Sequence, residues 1–364
     1  MSIKLLVLIA LVIIFALLIV YNRLTNISFA DNRAHVSAAY CKLSGSPTIE
    51  RPVIFIPGTK GSTLQDSSGN VWLNLRQIFP GDTPLLYDSA NDHVAASGIL
   101  TRVSLIPKLA EYRSYFGISV ALACSPKAYF YYYDWRKNPA DNVPGLGQLV
   151  ERVRQETGEK PSIIAHSMGG LITHYYMKEH ADEIDKVAYV GVPFGSGLSF
   201  LEDIDNGSPV GLNRTLLSAQ ALFSHPGSFA LLPHQGTKLY KGLDLMEVGT
   251  WKENELSAYK NGFSDDHLLE QNLQKAKDFF AVLDQPKPMA NEFLFIVGNC
   301  QDTLAEIGID NSKIFKPGDG RVLAEAALPI EQEQLNKKVI TFCTRHDQQL
   351  NDKEIIKRVL QFLQ

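Results

Sequence analysis

Residues 161–171, PSIIAHSMGGL, constrain this chain more than any other stretch. Ile163, Ile164 and Ala165 read as the end of a buried strand, and LITHYYMKEH, from Leu171 on, reads as a helix. Between them lie His166, Ser167, Met168, Gly169 and Gly170. A serine at so sharp a strand-to-helix turn projects its hydroxyl from the end of a sheet, and the crowded backbone there demands small neighbours. Ala165-His166-Ser167-Met168-Gly169 meets that demand with alanine where glycine is usual. The helix N-terminus that follows aims backbone N–H groups at any oxyanion formed beside the serine. A chance Ser-x-Gly at a buried turn would read the same way, so the remaining sequence has to decide.

Strands alternate with helices around this turn. Arg51-Pro52 introduces Val53-Ile54-Phe55-Ile56, an apolar run suited to a strand buried on both faces. Leu105 to Phe116 reads as a helix, Lys127 to Arg136 as an aromatic strand, and Pro144 to Thr157 as an amphipathic helix. Val187 to Val192 is a further buried strand; Glu292 to Gly298 and Lys338 to Phe342 are the last two, and Asp352 to Leu363 closes the chain as a helix. This rhythm predicts an α/β fold on a largely parallel sheet. Residues 63–105, rich in turn signals, read as an insertion able to act as a lid. Residues 198–290, with helical patches such as Leu268 to Leu283, read as an inserted cap whose apolar residues either line an acyl pocket or simply pack the cap. The catalytic unit is therefore expected at 51–364.

Residues 1–23 stand apart. Leu5 to Tyr21 is unbroken apolar sequence, about 25 Å long as a helix. It is expected to be an uncleaved membrane anchor, with a signal peptide as the alternative, followed by a polar tether over 24–50 and an extracytoplasmic catalytic domain. The formal net charge of −4, with no long Lys/Arg block, argues against nucleic acid as a partner. No His-Glu-x-x-His, Cys-x-x-Cys or Walker-type pattern occurs, so neither a metal nor another cofactor is expected. Of the four cysteines, Cys300 and Cys343 each end an expected strand and would suit a disulfide in an oxidising compartment; four buried free thiols is the other reading.

A serine hydroxyl becomes a useful nucleophile when a base takes its proton and a carboxylate orients that base. On sheets of this kind the chain order is serine, acid, histidine. Only His346 follows the late strands; His166 flanks Ser167 but should point away from its hydroxyl. Two acids compete, Asp302 near a strand end and Asp319 between two glycines, with Asp319 preferred. The loop Pro57-Gly58-Thr59-Lys60-Gly61-Ser62 lacks the phosphate-loop spacing. It is better read as a turn beside the serine, where the N–H of Thr59 joins that of Met168 as an oxyanion donor. Asp134 and Arg136 are expected to form an ion pair that braces a strand end.

The motifs together resemble the lecithin:cholesterol acyltransferase family, with its lysosomal phospholipase A2-like members. They are Pro52-Val53-Ile54 through Pro57-Gly58, Val71-Trp72-Leu73-Asn74-Leu75, Tyr133-Asp134-Trp135-Arg136, Ala165 through Gly170, Gly191-Val192-Pro193-Phe194-Gly195, Gly318-Asp319-Gly320 and His346. The resemblance implies an α/β-hydrolase fold, a Ser167–Asp319–His346 triad, Thr59 and Met168 as the oxyanion hole, and a lid after residue 62. It departs at Arg321, where threonine is usual, at Phe194, where tryptophan is usual, and in the absence of paired cysteines between 62 and 105. The expected activity is lipid acyl hydrolysis or O-acyl transfer on glycerophospholipid-type esters. Hydrolysis of small soluble esters, and an inactive membrane-tethered scaffold, are the alternatives.

Overall fold

Val53–Ile56, Ser162–His166, Lys186–Val190 and Glu292–Gly298 are too apolar for either face to meet water, so each needs a covering layer on both sides. The computed structural model of the chain describes residues 5–6, 9–10, 12–17, 28–30, 33–35, 41 and 47–364, apart from 82, 91, 107–109, 196 and 235. Most of the expected 1–23 anchor and 24–50 tether lies outside these residues. Among the described residues, no helix is long and apolar enough to cross a membrane.

In chain order, β1 (Ser28–Ala30) and β2 (Arg33–His35) pair antiparallel, and β3 is Val53–Ile56. A small antiparallel sheet follows, made of β4 (Ser62–Asp66), β5 (Gly69–Trp72) and β6 (Ala95–Ile99), and then a hairpin of β7 (Arg102–Ile106) and β8 (Ala110–Arg113). The remaining strands are β9 (Ala128–Phe130), β10 (Ser162–His166), β11 (Lys186–Val190), β12 (Glu292–Gly298), the antiparallel pair β13 (Gln301–Ile307) and β14 (Lys313–Gly318), and β15 (Asn336–Phe342). Eight of them form the main sheet in the order β1-β2-β9-β3-β10-β11-β12-β15, parallel from β9 to β15.

Period-two alternation sorts the side chains. Ile54, Ile163, Val187 and Phe293 enter one core; Phe55, Ile164, Ala188 and Leu294 enter the other. Helices α1 (Phe116–Leu122), α2 (Pro139–Thr157), α3 (Met168–His180), α4 (Asp266–Leu283) and α5 (Lys353–Leu363) cover these faces. The second core is closed by α1 and α5, through Ile118, Leu122, Ile355 and Val359. The first is closed by α2, α3 and α4, through Leu149, Leu171 and Phe279. Short helices fill 201–261.

Several expectations need correction. The helix placed at Leu105 to Phe116 is instead the β7–β8 hairpin, with α1 starting only at Phe116. Arg102-Val103-Ser104-Leu105 alternates with the period of a strand, and that local signal prevails. The long strand at Lys127 to Arg136 stops at Phe130. Beyond it the aromatic side chains donate to main-chain carbonyls: the Tyr133 hydroxyl to Pro57 (2.9 Å) and the Trp135 indole to Ser62 (3.2 Å). Helix α2 begins at Pro139 rather than Pro144, because Asn138 caps the Ala140 N–H. The β13–β14 hairpin, which carries the chain into Asp319, has no counterpart among the strands expected from the sequence. The expected Cys300–Cys343 disulfide forms, and Cys41–Cys124 forms as well, so the alternative of four free thiols does not hold.

Candidate active site

Ser167 caps the junction of β10 and α3 with φ 52° and ψ −126°. A non-glycine residue there is strained. The strain is held by packing: a Cβ on Gly169 would lie 2.3 Å from the Pro57 carbonyl oxygen, and one on Gly58 2.7 Å from the Ser167 Cβ. Only glycine lets the β3 loop and the serine turn approach so closely. Met168 opens α3, so its N–H has no intrahelical partner. Thr59 lines the cavity at the serine, and among the described residues neither its N–H nor that of Met168 donates to another protein group.

Three segments distant in sequence meet at Ser167. The His346 Nε2 lies 3.0 Å from the Ser167 hydroxyl, and its Nδ1 lies 2.8 Å from Asp319 Oδ2. A carboxylate only accepts, so Nδ1 carries the proton and Nε2 is left to accept from the serine. Asp319 is 2% exposed. Burial alone would raise its pKa, but the imidazole of His346 and the N–H groups of Val322 and Arg321 hold it below the ordinary range. Gln349 adds a donor at 3.0 Å. Asp302 sits exposed on β13 and lines the same cavity, but the acid that meets the imidazole is Asp319. The cavity has a volume of about 460 Å³.

His166 points away from the serine hydroxyl and into a network that the sequence did not disclose. Its Nε2 donates to the main-chain carbonyl of His346 (3.1 Å), so its Nδ1 accepts from the Tyr115 hydroxyl (2.8 Å), which itself accepts from the Gly58 N–H (2.8 Å). The histidine is buried and uncharged, its pKa pushed down to about 3 by burial and by the neighbouring His346. This chain of bonds ties the loop after β3 to the loop that carries His346. Tyr115 lay in a segment read as helix, so nothing in the sequence aimed it here.

Asp134 and Arg136 form the expected ion pair, at 2.7 Å, and it reaches further than expected. Arg136 also meets Asp92 at 2.5 Å and the Leu86 carbonyl at 3.1 Å, which fastens the 63–105 segment to the sheet. Among the described residues, no group of three His, Cys, Asp or Glu is placed to hold a metal ion.

A mostly parallel sheet, helices on both faces and a strained serine between strand and helix define an α/β-hydrolase fold. Residues 127–285 match the family model "Lecithin:cholesterol acyltransferase", so the family likeness read from the motifs is present in the chain. That span includes Ser167 but neither Asp319 nor His346. An uncharacterized protein of Saccharomyces cerevisiae is 25% identical over 234 residues, covering 58% of this chain and 35% of that protein. The chain thus spans about a third of the length of the curated relative it matches. Among solved structures, the Tle4–Tli4 complex contains a chain that superposes with a TM-score of 0.56 at 12% identity, covering 86% of this chain and 98% of that one. This similarity is one of fold. A lipase of Bacillus licheniformis, BlEst2, overlays more loosely, with a TM-score of 0.38 at 14% identity over 86% of this chain and 89% of that one.

Proposed function

We propose that the chain is a serine-dependent acyl hydrolase or O-acyltransferase acting on glycerophospholipid-type esters. The observation that carries this reading is the hydrogen-bonded run Ser167–His346–Asp319, with Ser167 held at φ 52°. Ser167 attacks the ester carbonyl as His346 Nε2 takes its proton. Asp319 fixes the imidazole tautomer and stabilises the imidazolium that forms. The N–H groups of Thr59 and Met168 donate to the tetrahedral oxyanion. The leaving alcohol takes the proton from His346, leaving an acyl-enzyme. Water then resolves it in hydrolysis, or a second alcohol in transfer, with His346 again acting as base. The apolar run Leu5 to Tyr21 serves as the membrane anchor that keeps the site near lipid.

A fluorophosphonate probe tests the nucleophile. Wild-type protein is expected to be labelled and Ser167→Ala not; labelling that persists in the variant overturns the assignment. Products from phospholipid vesicles, with and without a long-chain alcohol, then separate hydrolysis from transfer.

A further inference from the structure

One wall of the cavity at Ser167 carries charge that the acyl-transfer chemistry does not use. Lys60 Nζ lies 3.2 Å from Asp203 Oδ2 and donates to Ser208 Oγ at 2.8 Å. The Arg321 guanidinium grips the same carboxylate with both terminal nitrogens, at 2.7 and 3.3 Å, and stacks over Phe200 at 4.6 Å. Two cations share one carboxylate, so this wall keeps an excess positive charge. Arg345, also at the cavity, faces Asp347 at 3.5 Å, and Asp302 and Asp319 are further carboxylates there, so the cavity lining as a whole is not positive and the local excess belongs to the Lys60–Asp203–Arg321 cluster.

Lys60 stands at a backbone position that favours glycine. It is the third residue of a turn closed by the Gly61 N–H on the Gly58 carbonyl, at φ 63°. Glycine or asparagine fills such a position without penalty; a lysine pays strain to stand beside the oxyanion loop. Arg321 follows Gly320 and is two residues from Asp319, and both cations line the cavity that holds Ser167. Asp203 fixes their positions without exhausting them. The guanidinium has five N–H donors and the ammonium three, more than Asp203 and Ser208 can take up, and the Ser208 hydroxyl keeps its own proton to donate.

We propose that Lys60 and Arg321 form a subsite for the phosphate of the acyl donor, held beside Ser167 while the ester is attacked. The proposal rests on the reading of Ser167 as nucleophile toward a phospholipid-type ester. In a glycerophospholipid the phosphate and the nearer ester are only a few covalent bonds apart, so one pocket can hold both. A planar guanidinium takes a phosphate through two parallel hydrogen bonds, and the neighbouring ammonium adds a point charge. Neutral diacylglycerols lack that anchor and are disfavoured as donors.

Calorimetric titration of the full-length Ser167→Ala chain tests the subsite without turnover. The ligands are dihexanoylphosphatidylglycerol below its micelle concentration, dihexanoylglycerol, and inorganic phosphate. The phosphate-bearing lipid is expected to bind about tenfold more tightly than the neutral one. Adding Arg321→Gln or Lys60→Gln should collapse that ratio, and Arg321→Lys should restore part of it, with circular dichroism checking the fold of each. Equal affinity for the two lipids in Ser167→Ala, which needs no further variant, overturns the proposal. So does a ratio that survives loss of either cation in a folded protein, since a purely structural clamp would weaken both ligands together. Inorganic phosphate binding as tightly as the lipid overturns the headgroup assignment in favour of a free-anion site. A wild-type chain that takes no fluorophosphonate label sinks the acyl-enzyme reading, and the binding ratio still decides this one.

Discussion

His166 shows how one side chain links stability to pH in this site. It is uncharged in the fold, with its pKa pushed down to about 3, and it faces Tyr115, His346 and Asp319. Burial, the largest cause, disfavours the imidazolium, whereas the unfolded chain protonates near 6.5. Between those values the unfolded state binds the extra proton. The stability owed to the neutral ring is therefore complete above pH 6.5 and drains away as pH falls towards about 3. His225, buried at the Leu85 carbonyl and likewise lowered to about 3, acts in the same window. Each contributes a slope of about 1.4 kcal/mol per pH unit. Urea denaturation from pH 7 to 4 should show wild-type stability falling, and His166→Gln falling less steeply; parallel curves would count against the buried neutral ring. Gly58→Ala is a second residue-scale test. The added Cβ meets Ser167 Cβ at 2.7 Å and His166 Nδ1 at 3.0 Å. It should cost about 1–3 kcal/mol of stability, and the labelling rate of Ser167 should fall with it. An unchanged melting temperature and labelling rate would mean that the two loops are looser than drawn.

At the scale of elements, the disulfide Cys300–Cys343 joins the β12–β13 turn, which is hydrogen-bonded to the strand end before Asp319, to the loop that carries His346. The Cys300 N–H bonds to the Gly318 carbonyl, next to Asp319, and Cys343 lies just before His346. Closing a loop of 43 residues contributes about 4 kcal/mol in the chain-entropy account. A Cys300→Ser/Cys343→Ser double variant should lose stability of that order, and kcat should fall more than KM rises as the imidazole wanders from Asp319. A variant with unaltered kcat would show that the strands alone position the two loops. The same elements show what sequence could and could not reveal. β3, β10, β11 and β12 were legible because a strand covered on both faces must be apolar throughout. Ser167 was legible because its turn tolerates so few neighbours, and His346 because one histidine alone follows the last strands. The β13–β14 hairpin was not, since Lys313 to Pro317 is exposed and carries no periodic apolar signal. Tyr115 and Gln349, which steady His166 and Asp319, act through contacts more than 30 residues apart in one case and at 30 in the other, and no local pattern encodes these.

Across the whole molecule, α3, the helix that follows Ser167, is fixed to distant chain by a buried charge cluster. Glu331 accepts from Lys178 (2.6 Å) and His174 (2.9 Å), both on α3, and Lys178 also donates to the Gln285 carbonyl just past α4 (2.7 Å). So α3, the end of α4 and the approach to β15 meet at one carboxylate. Burial by itself raises the Glu331 pKa, but His174 and Lys178 outweigh it and pull the value down to about 2. The stability this provides is present above the unfolded value of 4.5 and is lost as pH falls through about 2. Breaking the cluster from one side strands a charge: Glu331→Leu leaves the Lys178 ammonium without its carboxylate and should cost about 3–5 kcal/mol. Replacing both, as Glu331→Leu with Lys178→Met, removes the stranded charge along with the attraction. The double variant should therefore be more stable than Glu331→Leu alone, and it should refold with Ser167 still reactive to a fluorophosphonate. Additive losses across the double-mutant cycle would show that the two groups do not depend on each other, and α3 would then owe its placement to the apolar contacts of Leu171 and Ile172 alone.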